Sequence, residues 1–262
     1  IMKDCPISLD LIKSNEVYSQ RSLKKLSANL TILKPFNYTV AEQQEQALLR
    51  IGKMSIQGVQ PKLSAILNIK DSKFEIVDRG GKYIIKIQSP LYKELPQNES
   101  LSMLLAKSIG IETPLFGLIK TKDNNYSYFI KRFDRVGRNK KLAVEDFCQL
   151  SNLDRDTKYN SSMEQVINII DKYCTFPQLE RLKLFRITLF NFLIGNEDMH
   201  LKNFSLISKE RKTSLAPSYD LLNTSIALVN PKEELALPLK GKKRNLQAKD
   251  FFNYFAKERL DL

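Results

Sequence analysis

The stretch that says most about this chain is Gly195-Asn196-Glu197-Asp198-Met199-His200-Leu201-Lys202-Asn203. It directly follows residues 179–194, a helical pattern that is apolar on almost every side. A helix of that kind is expected to lie buried in the centre of a core. The polar residues after it would then sit on a rigid support. The pattern predicts a loop in which Asp198 and Asn203, five positions apart, are held in place.

An Asp and an Asn at this offset suit the transfer of a phosphoryl group. That reaction needs a carboxylate to orient the incoming hydroxyl and accept its proton, and an oxygen ligand to hold a metal ion on the phosphates. Farther along, Ser218-Tyr219-Asp220 supplies a second carboxylate suited to Mg²⁺. Residues 204–207 have the pattern of a strand, so a hairpin would bring Asn203 and Asp220 together. Read alone, an Asp in this spacing is more simply a helix cap or a surface charge.

His200 lies inside this loop and is the only histidine of the chain. A metal centre with several histidines and a mechanism with two histidines are therefore excluded. We expect His200 to support the loop or to contact phosphate rather than to act as the base.

Lys86 lies in Tyr83-Ile84-Ile85-Lys86-Ile87, a strand pattern that is otherwise apolar on both faces. Burying a lysine costs free energy unless the ammonium is paired. Nucleotide phosphates and Glu99, at the start of the next helix, are suitable partners. The order Lys, Glu, Asp-x4-Asn, Asp is that of protein kinases. The alternative is an edge-strand lysine whose ammonium reaches water.

Standard phosphate-binding glycine motifs do not occur in the sequence. Residues 55–64, Ser-Ile-Gln-Gly-Val-Gln-Pro-Lys-Leu-Ser, precede the first strand of the predicted sheet and contain one glycine and one lysine. Backbone amides of such a segment can form an anion-binding nest. This segment is therefore the candidate phosphate loop.

Composition limits the class of protein. The 42 Lys and Arg against 29 Asp and Glu give a formal charge of +13, but the basic residues are spread along the chain. This spread argues against sequence-specific DNA binding by the chain alone and fits a protein that handles phosphate or binds an acidic partner.

Three widely spaced cysteines without a CxxC pair predict a reducing cytosol. No apolar stretch is long enough to span a bilayer, so no membrane partner is predicted.

The predicted fold class is α+β, with a small β-rich N-lobe over residues 1–134 and a larger helical C-lobe over 135–262. Alternation at 63–69 and short runs between turn signals predict strands at 63–69, 74–77, 83–87, 115–121 and 126–133. Helices are predicted at 40–50, 145–150, 163–173 and 179–194. Another helix, capped by Asn98 and ended by Gly110, would bury a face of Leu101, Leu104, Leu105 and Ile109.

Five stretches, in this order along residues 54–222, are specific as a set: Ser55-Ile56-Gln57-Gly58-Val59-Gln60-Pro61-Lys62, Tyr83-Ile84-Ile85-Lys86, Lys131-Arg132-Phe133-Asp134-Arg135, Gly195 to Phe204, and Pro217-Ser218-Tyr219-Asp220. Together they resemble the HipA family of bacterial toxin kinases. The resemblance implies a bilobal, protein-kinase-like (HipA-like) fold. It also implies a serine/threonine protein kinase that uses ATP and Mg²⁺ and whose targets are aminoacyl-tRNA synthetases.

By this resemblance, Asp198 is the catalytic base, Asn203 and Asp220 hold Mg²⁺, and Lys86 contacts the phosphates of ATP. Residues Lys131 to Phe133 would form the hinge edge. Ser55 matches a position of autophosphorylation, and a phosphate there, with about −1.5 to −2 charges, would draw the loop out of the ATP site. The predicted nucleotide-binding residues are Gln57, Gly58, Val59, Gln60, Pro61, Lys62, Lys86, Glu99, Lys131, Arg132, Phe133, His200, Lys202 and Tyr219.

Only some fifty residues precede the Ser55 loop, whereas longer family members carry an additional N-terminal subdomain. In this respect the chain looks like HipT, the short toxin of three-gene HipBST systems. That resemblance implies a small HipS-like antitoxin docking on the N-lobe and a helix-turn-helix, HipB-like antitoxin through which DNA is reached only indirectly. It suggests tryptophanyl-tRNA synthetase as the substrate and the bacterial cytoplasm as the location.

Two other functions remain open. A small-molecule phosphotransferase of kinase-like fold uses the same Asp and Asn, but it usually needs an acidic pocket, which a chain of charge +13 fits poorly. An inactive kinase fold could serve as a scaffold for an antitoxin–DNA complex. The presence of every residue needed for transfer argues against the scaffold.

Overall fold

The computed structural model describes residues 2–50, 60–137, 140–228 and 230–262. Contacts divide the chain into two compact units. The N-terminal unit comprises Ile1–Leu104 and Pro114–Phe133, and the C-terminal unit comprises Leu105–Thr113 and Asp134–Leu262. Residues Leu105–Thr113 therefore group with the later part of the chain, whereas the predicted lobes at 1–134 and 135–262 placed them with the first part.

The N-terminal unit begins with small elements and continues into a sheet. A hairpin of β1 (Met2–Asp4) and β2 (Leu11–Lys13) precedes helices α1 (Gln20–Leu26) and α2 (Val40–Leu48). The sheet strands are β3 (Lys62–Asn68), β4 (Lys73–Ile76), β5 (Tyr83–Lys86), β6 (Phe116–Lys120) and β7 (Tyr126–Lys131). They form an antiparallel sheet in the order β4-β3-β5-β7-β6. All five predicted strands are confirmed.

Buried aromatic rings from different strands of this sheet pack against one another. Phe74 packs against Tyr83 with 5.0 Å between ring centroids and against Phe129 with 5.2 Å. Helix α2 starts with a capping box formed by Thr39 and Glu42, which satisfies backbone donors at its N-terminus. Apolar burial of this kind is the main source of stability in a sheet of this size.

Helix α3 (Leu95–Ser108) differs from the sequence prediction. It starts before Asn98, which therefore lies within the first turn and is not the cap. The structure exposes the predicted core residues Leu101, Leu105 and Ile109 and buries Glu99 and Met103. Each residue turns an α-helix by about 100°, so a helix that directs Glu99 inward must direct Leu101 outward. The polar residue, not the leucines, sets the rotation of α3.

The C-terminal unit combines short strands with helices. Strands β8 (Arg135–Val136) and β9 (Lys140–Lys141) pair, and β10 (Ala143–Asp146), β11 (Ser205–Lys209) and β12 (Lys212–Leu215) form an antiparallel sheet in that order. The helices are α4 (Phe147–Leu150), α5 (Met163–Tyr173), α6 (Pro177–Leu193) and α7 (Thr224–Ala227), with a 3₁₀ turn at Leu201–Asn203 and a π-helix at Asp250–Leu260.

Helix α5 has the predicted bounds, but two other helix predictions need correction. Residues 145–150 are a strand end followed by the single turn α4, because Asp146 leaves the sheet and caps that turn. Helix α6 is not buried on all sides, since Leu179 and Leu193 are exposed. Within the described ranges, no helix has the length and hydrophobicity needed to cross a membrane.

Candidate functional site

Gly195 connects α6 to the predicted loop, at a position that has no room for a side chain. Its φ is +66°, and an added Cβ would lie 2.7 Å from Oγ of Ser225. Its carbonyl accepts hydrogen bonds from Thr224, from the hydroxyl at 2.8 Å and from the backbone amide at 3.0 Å. The start of the loop is therefore fixed against α7.

A relay of buried amides continues from α6 into the loop. The Asn191 side chain donates to the Ile187 carbonyl at 2.8 Å, and Asn196 Nδ2 donates to Asn191 Oδ1 at 2.6 Å. Asn196 Oδ1 in turn accepts from the backbone amide of Asp198 at 3.1 Å. Both asparagines are only 1% exposed. Sequence reasoning missed Asn196, and the one available signal was Asn191, a polar residue inside an apolar helix.

The relay ends where the structure brings Asp198 and Asn203 together. Asn203 Nδ2 donates to the Asp198 carbonyl at 2.9 Å, and the Asn203 amide donates to the His200 carbonyl at 2.9 Å. Because the side-chain nitrogen of Asn203 is used in this bond, its oxygen is the atom left for a cation. The Asp198 side chain is 50% exposed, so its carboxylate is accessible.

Strands β11 and β12 form the predicted hairpin, which returns the chain toward the loop. The Ala216 amide donates to the Ser205 carbonyl at 2.8 Å, and the Tyr219 hydroxyl donates to the Lys202 carbonyl at 3.0 Å. Burial raises the pKa of Tyr219, so this hydroxyl remains a donor. Asp220 follows at φ +55°, a backbone conformation that Asp tolerates better than most residues and that is often found at functional sites.

His200 is buried below the carboxylate of Asp198. Its Nε2 lies 3.8 Å from Asp198 Oδ1, and its Nδ1 has no hydrogen-bond partner among the described residues. Burial lowers the pKa of His200, and the negative charges of Asp198 and Asp220 offset this only in part. His200 is therefore neutral at pH 7. Tyr159, which sequence reasoning missed, packs its ring edge against the His200 ring and donates its hydroxyl to Asp198 Oδ1.

Lys202 occupies a different environment from the one its predicted nucleotide role suggests. Its ammonium lies 2.9 Å from Oδ2 of Asp146, the residue that caps α4. The ion pair therefore ties the loop to α4.

The donor set of Asn203 and Asp220 fits Mg²⁺. Both offer hard oxygen atoms, the ligand type that Mg²⁺ prefers, and Mg²⁺ sites on nucleotides commonly need only one or two protein ligands because phosphates and water supply the rest. Across the described ranges, no group of three or more His, Cys, Asp and Glu residues is placed to hold a metal ion. A fully protein-ligated metal centre is thus not found there.

In the N-terminal unit, Lys86 and Glu99 form a buried ion pair. The ammonium lies 2.6 Å from Glu99 Oε1, and the side chains are 8% and 4% exposed. The ammonium also lies 5.7 Å from the ring centroid of Tyr128. Both charged groups are buried, so separating them would remove the counter-charge of each inside the core at a large cost in free energy. The geometry of the pair is therefore fixed.

Lys62 lies directly opposite Lys86 on the neighbouring strand β3. Residues opposite each other in an antiparallel pair share one face of the sheet, and like charges there repel. The two lysines therefore lie on the same face of the sheet, where Glu99 compensates the charge of Lys86. The two residues before Lys62 are joined to the end of β5. The Gln60 side-chain amide donates to the Ile87 carbonyl at 3.0 Å, and the Ile87 backbone amide donates to the Pro61 carbonyl at 3.4 Å.

The predicted hinge residues Lys131, Arg132 and Phe133 lie at the end of β7. The Lys131 amide donates to the Leu115 carbonyl at 2.7 Å and the Arg132 amide to the Lys82 carbonyl at 2.8 Å. These two backbone donors are therefore engaged within the sheet. The predicted site residues Ser55, Gln57, Gly58 and Val59 lie outside the described residues.

A cavity of about 310 Å³ lies in the C-terminal unit and is lined by Val136, Lys140, Lys141, Leu142, Ala143, Ser208, Lys209 and Glu210. None of the predicted site residues lines it. The candidate site therefore rests on the geometry of the loop and hairpin, not on this cavity.

The Lys86–Glu99 pair gives a stability prediction. We expect Glu99→Leu to lower the free energy of unfolding by about 3–5 kcal/mol, because it leaves a buried ammonium without that carboxylate. The double variant Lys86→Met/Glu99→Leu should recover most of this loss, since an apolar pair of similar size fills the same space. Urea denaturation measures both, and a double variant as unstable as Glu99→Leu alone would contradict the assignment.

The amide relay gives a second stability prediction. We expect Asn196→Ala to lower the free energy of unfolding by about 1–3 kcal/mol, because it leaves buried polar groups of Asn191 and Asp198 unsatisfied. The exposed Asn168 of α5 is the control, and Asn168→Ala should change stability by less than about 0.5 kcal/mol. Equal effects of the two substitutions in urea denaturation would show that the relay contributes no stability.

Comparisons with known proteins identify the family of this chain. The model of the HipA-like C-terminal domain family matches residues 54–261. A "putative kinase" of Haemophilus influenzae is 32% identical over 246 residues, which cover 86% of this chain and 69% of that protein. The serine/threonine-protein kinase toxin HipA of Shewanella oneidensis is 27% identical over 199 residues, 66% of this chain and 44% of the toxin.

Among solved structures, the Shewanella oneidensis HipA in a complex with HipB and operator DNA superimposes with a TM-score of 0.69. The match covers 96% of this chain and 67% of that chain at 21% sequence identity, and it shows a shared fold. The predicted α+β, HipA-like fold class is confirmed. The family match over most of the sequence means that this chain belongs to the HipA-like family.

Proposed function

We propose that this chain is a Mg²⁺- and ATP-dependent serine/threonine protein kinase and the toxin of a bacterial toxin–antitoxin system. The observation that carries the proposal is the arrangement around Asp198. The Asn203 side chain binds the Asp198 carbonyl, and Tyr219 ties the segment before Asp220 to Lys202. One accessible carboxylate and two further oxygen donors thus belong to one hydrogen-bonded structure, which is the set that phosphoryl transfer requires.

In the proposed reaction, Asp198 orients a serine or threonine hydroxyl of the substrate and accepts its proton. The hydroxyl oxygen forms a bond to the γ-phosphorus of ATP, and the bond to the bridging oxygen breaks, so that ADP leaves. Mg²⁺, when bound through the oxygens of Asn203 and Asp220, supplies positive charge next to the phosphates. Neutral His200 supports the loop beneath Asp198 and does not compete for the proton.

The N-terminal unit is proposed to bind the nucleotide. Lys86, oriented by Glu99, and Lys62 opposite it would contact the phosphates, as their shared sheet face supports. The segment that contains Gln57, Gly58, Val59, Gln60 and Pro61 would line the nucleotide. Lys131, Arg132 and Phe133 would border the adenine.

The substrate and partners are proposed from the family. We propose an aminoacyl-tRNA synthetase as the substrate, with tryptophanyl-tRNA synthetase as the first candidate. The proposed partners are a HipB-like helix-turn-helix antitoxin, through which DNA is reached, and a small HipS-like antitoxin on the N-terminal unit. The related Shewanella structure, a complex of HipA with HipB and operator DNA, supports a partner of the first kind. The sequence match covers 44% of the Shewanella toxin's length.

Phosphate transfer from γ-labelled ATP tests the proposal. We expect the wild-type chain to label itself and a protein in bacterial extract, and Asp198→Asn to reduce both rates by about 10²–10⁴-fold because it removes the base. Peptide mapping of the labelled chain should locate a phosphate on Ser55. An unmodified Ser55 in active enzyme would remove the proposed autoregulation but not the kinase.

The matched control is Asp156→Asn, which removes an exposed carboxylate from the same unit and should leave the rates unchanged. Wild-type protein that transfers no phosphate, yet arrests growth on expression, would contradict the kinase and favour the scaffold. Transfer to small molecules of the extract, with no labelled protein, would favour the small-molecule phosphotransferase.

A further inference from the structure

Tyr159 lies in the irregular segment between α4 and α5 and reaches the candidate catalytic carboxylate. Its hydroxyl donates to Oδ1 of Asp198, and its ring meets the His200 ring edge-on, with 5.0 Å between centroids and an interplanar angle of 86°. Burial, followed by the hydrogen bond to Asp198, raises the pKa of Tyr159. The hydroxyl therefore stays protonated and acts as the donor.

The backbone around Tyr159 is anchored independently of that hydrogen bond. The Leu201 amide donates to the Lys158 carbonyl at 3.3 Å, which joins the segment to the catalytic loop. Asp154 Oδ1 accepts the backbone amides of Asp156 and Thr157, both at 2.9 Å. Because these bonds hold the residues directly before Tyr159, the fold limits where the phenol ring can lie.

The hydrogen bond from Tyr159 gives the two side-chain oxygens of Asp198 different environments. Oδ1 receives the Tyr159 hydroxyl and lies 3.8 Å from His200 Nε2. Oδ2 accepts no hydrogen bond from any part of the chain that the structure describes, and the side chain is half exposed. A carboxylate held through one oxygen cannot rotate freely, so the other oxygen has a defined direction.

We propose that Tyr159 is a positioning residue that holds Oδ1 of Asp198 and thereby presents Oδ2 to the hydroxyl of the protein substrate. This inference rests on the proposed kinase function. It assigns Tyr159 no contact with the nucleotide and no proton transfer. Its effect is on the rate of transfer, because small displacements of a reacting group slow a reaction strongly while leaving substrate binding intact.

Tyr159→Phe tests the role, since it removes the hydroxyl and keeps the ring against His200. With γ-labelled ATP and casein as the phosphate acceptor, we expect kcat to fall roughly 10–100-fold and KM for ATP to stay within about twofold. Tyr254→Phe is the matched control, because the Tyr254 hydroxyl donates to Glu164 at 2.9 Å in the same unit. It removes the same kind of hydrogen bond and should leave kcat unchanged.

A double variant separates positioning from a general structural role. If Tyr159 acts through Asp198, Tyr159→Phe/Asp198→Asn should be no slower than Asp198→Asn alone, since residues that act as a unit are not additive. A further loss in the double variant equal to that in Tyr159→Phe would overturn the inference. So would a Tyr159→Phe enzyme as active as wild type, or a more active one, in which case the hydroxyl blocks the base.

The outcomes also separate this inference from the proposed function. Absence of phosphate transfer in the wild type removes both. An active wild type with inactive Asp198→Asn and unaffected Tyr159→Phe removes only the role of Tyr159. Thermal unfolding of each variant completes the comparison, and a kcat loss accompanied by a lower melting temperature in Tyr159→Phe but not in Tyr254→Phe would count against pure positioning.

Discussion

The candidate site depends on one constraint, which is that the buried amides between α6 and the loop of residues 195–203 must be hydrogen-bonded. Asn191 and Asn196 lie where water cannot reach them, so each polar atom must find a partner within the protein. Few arrangements of the chain meet that condition, and the one adopted places the Asp198 amide on Asn196. This hydrogen bond leads to the turn at Asp198, to the hydrogen bond from the Asn203 side chain to the Asp198 carbonyl, and to the accessibility of the Asp198 carboxylate. A polar interaction inside a hydrophobic core therefore sets the geometry of the site, while apolar burial supplies the stability.

Buried polar groups also fix the geometry of the N-terminal unit. Lys86 and Glu99 are buried together, and the pair fixes both an ammonium on the sheet face and the rotation of α3. Such pairs are weak sources of net stability but strong determinants of orientation, because breaking them leaves an unpaired charge in the core. In both units, groups suited to phosphate chemistry are held by buried polar partners. Side chains held in this way need little reorganisation during a reaction, which is the main protein contribution to phosphoryl transfer.

How far the sequence could predict this structure depended on the range of the interactions involved. Alternation at 63–69 and short runs between turn signals located the five strands, and 3.6-residue spacing located α5, because these signals are local. The pairing of Lys86 with Glu99 was predictable, since a lysine in an apolar strand needs a carboxylate. The face of α3 was predicted wrongly because a contact from another element, not the helix's own hydrophobicity, decides its rotation. Tyr159 was missed because its partner Asp198 lies far along the chain, and no local pattern reveals that contact. Asn196 was missed although its partners Asn191 and Asp198 are close in sequence, and the Asn191 interruption of α6 was the available signal.

The central claim is that Asn203 and Asp220 bind the metal ion whereas Asp198 acts on the substrate hydroxyl. Mn²⁺ bound in the presence of a non-hydrolysable ATP analogue, measured by electron paramagnetic resonance, tests that division directly. The account predicts that Asn203→Leu and Asp220→Asn weaken Mn²⁺ binding by at least about tenfold, and that Asp198→Asn, although inactive, binds Mn²⁺ like the wild type. Equal Mn²⁺ binding by all four proteins, or a loss confined to Asp198→Asn, would contradict it.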